Sequence, residues 1–370
     1  MPDSGPVPIP GGVPAPPGHR SNPPRRDFAR IVVLAPNWLG DSVMALPAIQ
    51  SVRAAWPDAH LAVAARPSVA ALFAMVPGVQ QVVSLESRAG LAGMRPWRRD
   101  AARLDAERFD LAVLLPNSFL SAWITAQAAI PERWGFGTDL RGRWLTRVFP
   151  RPPADVHQAD YYLALPVAAG LPPATRVARI VPPPAAVAAA RTLVPHRDYV
   201  VLAPGAAYGR AKQWPPSHYA ALASLLQRQR GLTPVVIGAG GDRAAGDEVR
   251  AALRDLPGGA TTAAALVDLI GRTDLATLAA TLAGARAVVA NDSGAMHLAG
   301  AVGVPLVAIF GPTNERQTAP LSATAEGPPA RLAIHPVWCR PCMLRECPLG
   351  HACMRGVAPA DVAALIQPPD

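Results

Sequence analysis

The chain has 370 residues, 50% of them hydrophobic and 16% charged, with 35 Lys+Arg against 26 Asp+Glu and a formal net charge of +9. That length calls for two domains of ordinary size, and the apolar fraction excludes a disordered chain. No uninterrupted apolar run approaches the roughly 20 residues of a membrane helix, and the basic residues are spread without interleaved aromatics, so nucleic acid is not an expected partner.

Residues 1–27, MPDSGPVPIPGGVPAPPGHRSNPPRRD, are rich in Pro and Gly and hold no apolar stretch long enough for an export signal. They read as a disordered tail on a cytoplasmic protein. Beyond them, ARIVVLAP reads as a strand, NWLGD as a loop and SVMALPAIQSVRAAW as a helix. The strands AHLAVAAR, QQVVSL and DLAVLLP follow, each leading into a helical stretch: SVAALFAMV, WRRDAARLDAERF and SFLSAWITAQAA. This repeated order predicts a parallel sheet covered by helices.

The proline cluster and alanine-rich stretch at 181–197 mark the domain junction, giving a first domain over 28–185 and a second over 196–370. The alternation restarts with DYVVLAP, the helix PSHYAALASLLQRQ, LTPVVIGAG, ARAVVAND with GAMHLAGAVG, and VPLVAIFGPT. The expected class is α/β, two doubly wound halves of similar size. Ligands of such sheets bind at the carboxyl ends of the strands, where the loops 36–41, 116–118, 204–212, 238–242 and 291–294 fall.

Lys212, in APGAAYGRAKQWP, is the only lysine in the chain. It follows Pro204 and Gly205 at a strand end and precedes a helix that Pro215 or Pro216 can start. A helix N-terminus exposes unpaired N–H groups that suit a phosphate, and an ammonium adds a mobile point charge. NDSGAMHLAG is a second strand-to-helix junction: Asp292 or Ser293 can cap the helix, Gly294 allows close backbone approach, and His297 falls one turn in on the face of Ser293. The two junctions together suit a pyrophosphate held between helix starts.

Asp41, in NWLGDSVMALPA, is the only acid in the first-half loops 36–41 and 116–118. It suits either a helix cap or a general base facing across a cleft, the minimum equipment for a group transfer in which an acceptor hydroxyl loses its proton. Asp242, in GAGGDR, suits ribose hydroxyls or, equally, a helix cap. The four cysteines, Cys339, Cys342, Cys347 and Cys353, are spaced C-x2-C-x4-C-x5-C. That spacing is compatible with a structural zinc, or with reduced, unliganded thiols.

The stretches NWLGDSVMALPAI, LLPNSFLSAW, HQADYYLAL, APGAAYGRAKQWP and NDSGAMHLAGAVGVPLVAIFGPT, in this order, resemble the ADP-heptose:lipopolysaccharide heptosyltransferases of glycosyltransferase family 9, with the heptosyltransferase II branch nearest. The resemblance spans roughly residues 29–365. It implies a GT-B fold, two Rossmann-like domains facing a cleft, with an N-terminal acceptor domain and a C-terminal donor domain. The implied reaction moves L-glycero-D-manno-heptose, with inversion, from ADP-heptose to the heptosyl-Kdo2-lipid A inner core of lipopolysaccharide. Transfer of the first or third heptose, or use of another nucleotide sugar, stays open.

By the same resemblance Asp41 is the base, Lys212 meets the donor phosphates, and Asp292, Ser293, Gly294 and His297 hold the diphosphate. No metal or other cofactor is required for catalysis. The enzyme is expected at the inner face of the inner membrane, touching its surface transiently. The tail and the cysteine cluster gain no role from the resemblance. Arg95, Arg98, Arg99 and Arg103, or Arg141, Arg143 and Arg147, are candidates for phosphates of lipid A and the core sugar, although an arginine-rich helix is more often a solvated face. A nucleotide-binding oxidoreductase is the competing class, but its G-x-G-x-x-G is missing after the first strand; the other is a non-catalytic metal-binding or interaction protein built on the cysteines.

Overall fold

The computed structural model describes residues 27–86, 94–327 and 330–366. The expected tail therefore lies, but for its last residue, outside the described residues. The first half runs β1 (Arg30–Leu34), α1 (Leu39–Met44), α2 (Leu46–Ala55), β2 (His60–Ala65), α3 (Pro67–Phe73), β3 (Gln81–Ser84), α4 (Met94–Ala106), β4 (Leu111–Leu114), α5 (Phe119–Gln127), β5 (Glu132–Phe136), β6 (Arg147–Phe149) and α6 (Gln158–Ala168).

After α7 (Pro184–Leu193) come β7 (Tyr199–Ala203), α8 (Pro216–Arg230), β8 (Thr233–Val236), α9 (Arg243–Asp255), α10 (Gly259–Ala265), β9 (Val267–Asp268), α11 (Leu275–Ala283) and β10 (Ala287–Asn291). The second half ends with α12 (Gly294–Val302), β11 (Leu306–Phe310), α13 (Glu315–Thr318), β12 (Arg331–Ile334), α14 (Ala352–Arg355) and α15 (Pro359–Leu365).

The two sheets have the same parallel topology, β3-β2-β1-β4-β5-β6 and, read from its other edge, β9-β8-β7-β10-β11-β12. Each is a doubly wound, Rossmann-like sheet whose strand order reverses between the first and fourth strands. The central strands are buried on both faces, as helices on both sides require, which is why RIVVL, YVVLA and LVAIF read as continuous apolar runs.

Three local differences from the sequence reading have plain causes. The single helix expected over 42–56 is two, because Pro47 sits in the first turn of α2 and cannot donate to a continuing ladder. The edge strands β6, β9 and β12, and β5 beside β6, were not legible, being short or carrying arginines and a glycine. The junction at 181–197 holds α7, whose Ala186 and Ala190 pack on Ala280 of α11.

The halves are sewn together. Helix α1 packs on α12 and α3 on α11, and the connecting strand bonds to both sides: Ile180 N–H donates to Ala301 O (3.1 Å) and Val181 N–H to Met75 O (2.8 Å). One apolar cluster includes Met75, Val76 and Ile180 together with Leu298, Ala301 and Leu321. Burial between the halves thus brings the carboxyl ends of β1 and β4 opposite those of β7 and β10.

Candidate active site

β1 ends in the loop Ala35–Trp38, and α1 begins at Leu39. Ser42 Oγ donates to Pro36 O (3.0 Å) and fixes this turn, and Asp41 lies in the first turn of α1, where a carboxylate faces the positive end of the helix. The N-cap is Trp38 and makes no side-chain cap bond. The Asp41 carboxyl instead faces the Tyr162 hydroxyl of α6, with Lys212 and Asp292 nearby. Burial pushes its pKa above the usual carboxylate range, while Tyr162 and the Lys212 ammonium pull it down and Asp292 pushes it up.

In the second half the loop after β7 closes through a tight turn, Arg210–Lys212, before Pro216 opens α8. Lys212 Nζ donates to Asp292 Oδ2 at 2.7 Å; the side chains are 13% and 5% exposed. Thr313 Oγ1 donates to the same oxygen (2.6 Å), and the ammonium lies 4.6 Å from the Tyr208 ring centroid. Two residues read separately as phosphate ligands are therefore partners, and the ammonium keeps two of its three donors for another acceptor.

Asn291, not singled out in the sequence, holds this arrangement. Its Oδ1 accepts from Trp214 N–H (3.0 Å) and Tyr219 OH (3.0 Å), and its Nδ2 donates to Pro204 O (2.8 Å). One buried amide so ties the end of β10 to both sides of the lysine loop. The available signal was its place beside Asp292 in NDSG.

Ser293 is the N-cap of α12 but makes no side-chain cap bond, so its buried Oγ is without a partner among the described residues, as is His297 Nδ1 one turn later. Burial pulls the His297 imidazole down to about 4, so the ring is neutral at pH 7. A Cβ on Gly40 would stand 2.7 Å from His297 Cδ2, and one on Gly294 3.0 Å from Leu39 Cβ. Each helix start presents a glycine to a side chain of the other.

Gly205 and Asp242 also meet: a Cβ on Gly205 would overlap the Asp242 carboxyl at 2.3 Å. Asp242 Oδ2 accepts from Ala239 N–H (2.8 Å), which holds the carboxylate in its own turn with Oδ1 remaining. Asp41, Lys212, Asp292, Ser293, Gly294 and His297 thus converge where the halves touch, with Gly205 and Asp242 at the neighbouring strand end.

A cavity of about 410 Å³ opens on the first-half side of Asp41. Trp38, Asn117, Arg151, Gln158, Tyr161 and Tyr162 are among its walls. The arginines named as candidates for acceptor phosphates are not among these walls. Arg141 is buried, bonded to Phe136 O (2.9 Å), Pro116 O and Ser121 Oγ (3.1 Å), and burial lowers its pKa to about 10. Arg143 stacks on Phe119 and Trp144, Arg147 on Trp134 and Phe149, and Arg103 pairs with Glu86 (2.9 Å). Arg95, Arg98 and Arg99 are exposed on α4.

Cys339, Cys342 and Cys347 lie near Cys353 in the segment that follows β12. All four are free, and among the described residues no three His, Cys, Asp or Glu side chains converge as a metal set. The Cys347 sulfur accepts from His351 N–H (3.3 Å), and Cys353 is buried on α14, with burial and the neighbouring thiols raising its pKa. The segment braces the lysine loop: Ala211 N–H donates to Arg345 O (3.0 Å) and Tyr208 OH to Met343 O (2.8 Å).

The comparisons with known proteins agree with this geometry. The profile of glycosyltransferase family 9 (heptosyltransferase) matches residues 97–352. The chain is 32% identical over 311 residues to lipopolysaccharide heptosyltransferase 2 of Salmonella typhimurium, covering 80% of this chain and 86% of the relative. It is 31% identical to the lipooligosaccharide heptosyltransferase 2 of Haemophilus influenzae, covering 80% and 87%. Its fold matches the structure of Escherichia coli ADP-heptose lipopolysaccharide heptosyltransferase II with a TM-score of 0.75 at 28% identity, covering 91% and 97% of the two chains. The family 9 structure from Veillonella parvula, at 20% identity and a TM-score of 0.70, shares the fold.

Proposed function

The chain belongs to glycosyltransferase family 9, the heptosyltransferases, and from that premise we propose that it is an inverting enzyme moving heptose from ADP-heptose to the heptosyl-Kdo2-lipid A inner core of lipopolysaccharide. The observation that carries this reading is the meeting of Asp41 from one half with the Lys212–Asp292 pair from the other.

In this reading the acceptor sugar enters the cavity beside Asp41 and the donor lies along the starts of α8 and α12. The acceptor oxygen bonds to the anomeric carbon as the bond from that carbon to the β-phosphate oxygen breaks. The proton passes to Asp41, and ADP leaves with the bonding pair. A base with a raised pKa is better matched to holding that proton near neutral pH.

Lys212 and the free N–H groups of α12 offset the charge that grows on the departing diphosphate. Ser293 Oγ and the neutral His297 supply unspent hydrogen-bonding capacity beside it. This division of labour needs no divalent ion. Among the described residues no helix is long and apolar enough to cross a membrane. With a lipid A-anchored acceptor, we place the enzyme as a peripheral protein at the inner face of the inner membrane, touching its surface during turnover.

Heptose transfer from ADP-heptose to purified truncated cores tests the reading, using acceptors that end in Kdo and in the first heptose. Transfer to the heptose-ended core, its loss in Asp41→Ala and retained ADP binding are expected. Transfer only to the Kdo-ended core reassigns the step, and transfer to neither overturns the function.

A further inference from the structure

The cavity beside Asp41 has one acidic and one basic side chain on its wall, Asp41 and Arg151. We propose that Arg151 is a specificity-determining residue, whose guanidinium binds an anionic group carried by the acceptor close to the hydroxyl that Asp41 deprotonates. The inference rests on the acceptor occupying this cavity, and adds that the acceptor must be charged there.

Three observations carry it. Arg151, in the loop between β6 and α6, is exposed and makes no hydrogen bond or ion pair among the described residues, whereas Arg176 is spent on Asp160 (3.2 Å). Its guanidinium lies 5.8 Å from the Tyr161 ring centroid, so the cation is backed by an aromatic face. That ring is itself fixed: Asn117 Nδ2 donates to Tyr161 OH (2.6 Å), and Phe136 packs against its edge at 5.2 Å.

Asn117, Tyr161 and Arg151 therefore form a supported chain that presents a planar fork of N–H donors on the cavity wall. That fork matches a carboxylate or a phosphate in two parallel bonds, which an ammonium cannot do. A neutral sugar would leave this cation without a counter-charge while Asp41 works nearby. The inner-core sugars offer both kinds of anion, and the two sources are separable by experiment.

The test is steady-state heptose transfer by wild type, Arg151→Ala and Arg151→Lys on three acceptors: the intact core, the core with its carboxyls reduced to alcohols, and the core treated with phosphatase. Arg151→Ala is expected to raise KM for the intact acceptor by about 10-fold or more, with KM for ADP-heptose and the melting temperature unchanged. Arg151→Lys recovers only part of this. Wild type shows the same rise on whichever treated core lacks the recognised anion, and there Arg151→Ala adds no further loss; that arm identifies the source.

An unchanged KM for the intact acceptor in Arg151→Ala, or an equal added loss on both treated cores, overturns the role of Arg151 and leaves the reaction standing. A wild-type enzyme that transfers to no acceptor overturns the reaction itself, and this inference with it.

Discussion

The imidazole of His297 packs against Gly40, so close that a single methyl on that glycine would stand 2.7 Å from Cδ2 and 3.2 Å from Nε2. Gly40 precedes Asp41, and His297 sits one turn into the helix that begins at the Asp292–Gly294 corner. This contact sets the spacing between the carboxylate of one half and the helix start of the other, which we propose faces the donor phosphates.

Gly40→Ala must then push α1 from α12. A stability loss of about 1–3 kcal/mol is expected from the overpacked contact, together with a fall in kcat larger than any change in ADP affinity. Thermal melting and single-turnover transfer check it; a variant with full kcat would show that the spacing is not set here.

Asp41→Asn separates function from stability. Transfer should fall by about 10²–10⁴-fold with ADP binding intact. The Asp41 pKa is raised in the fold, chiefly by burial, so the native state binds this proton more tightly than the unfolded chain. Its contribution to stability is present at low pH and is lost as pH rises through the unfolded value toward the folded one. At pH 7 Asp41→Asn should therefore melt higher than wild type, and the difference should shrink on acidification. The acidic limb of kcat/KM should have its midpoint above the ordinary value of about 4.

Lys212→Ala strips Asp292, 5% exposed, of its cation and leaves Thr313 as a donor. A destabilisation of about 3 kcal/mol and a loss of ADP affinity are expected. Adding Asp292→Asn should restore the melting temperature without restoring turnover, because the buried charge is gone but the phosphate ligand is still missing. Calorimetric titration with ADP alongside melting distinguishes the two effects.

Asn291→Ala removes the acceptor for Trp214 N–H and Tyr219 OH and the donor to Pro204 O. About 2–4 kcal/mol of stability should go with these buried partners. ADP affinity should also fall, although the amide is spent on the protein, because the lysine loop loses its tie to β10. Unchanged ADP binding would show that the loop is held by the Arg345 and Met343 carbonyls instead.

Much of the fold was legible because its central strands are buried on both faces. IVVL, YVVL and LVAIF announce themselves as runs, whereas ERWGF and the edge strand RVF are interrupted by half-buried arginines and do not. The Asp41, Lys212 and Asp292–His297 stretches were legible because each stands at a strand end, where the chain must turn and the next helix start is left unpaired. The arginines were less legible for the opposite reason: Arg141, Arg143 and Arg147 are clustered in sequence, but burial and aromatic stacking decide where guanidinium groups go, and neither has a sequence period.

The sequence by itself determined the alternation of strand and helix, and hence the sheets and the loops at their carboxyl ends. It also singled out Lys212, because one ammonium stands in a chain of guanidinium groups. Only the tertiary structure decided that Lys212 pairs with Asp292, that Asn291 binds the lysine loop, that Arg151 shares a cavity with Asp41, and that Met343 and Arg345, within the cysteine segment, brace the lysine loop. Periodicity is a local property, set by backbone geometry over a few residues. These pairings join residues 70 or more positions apart, brought together by the winding of each sheet and, for Asp41 opposite Lys212, by burying α1 against α12.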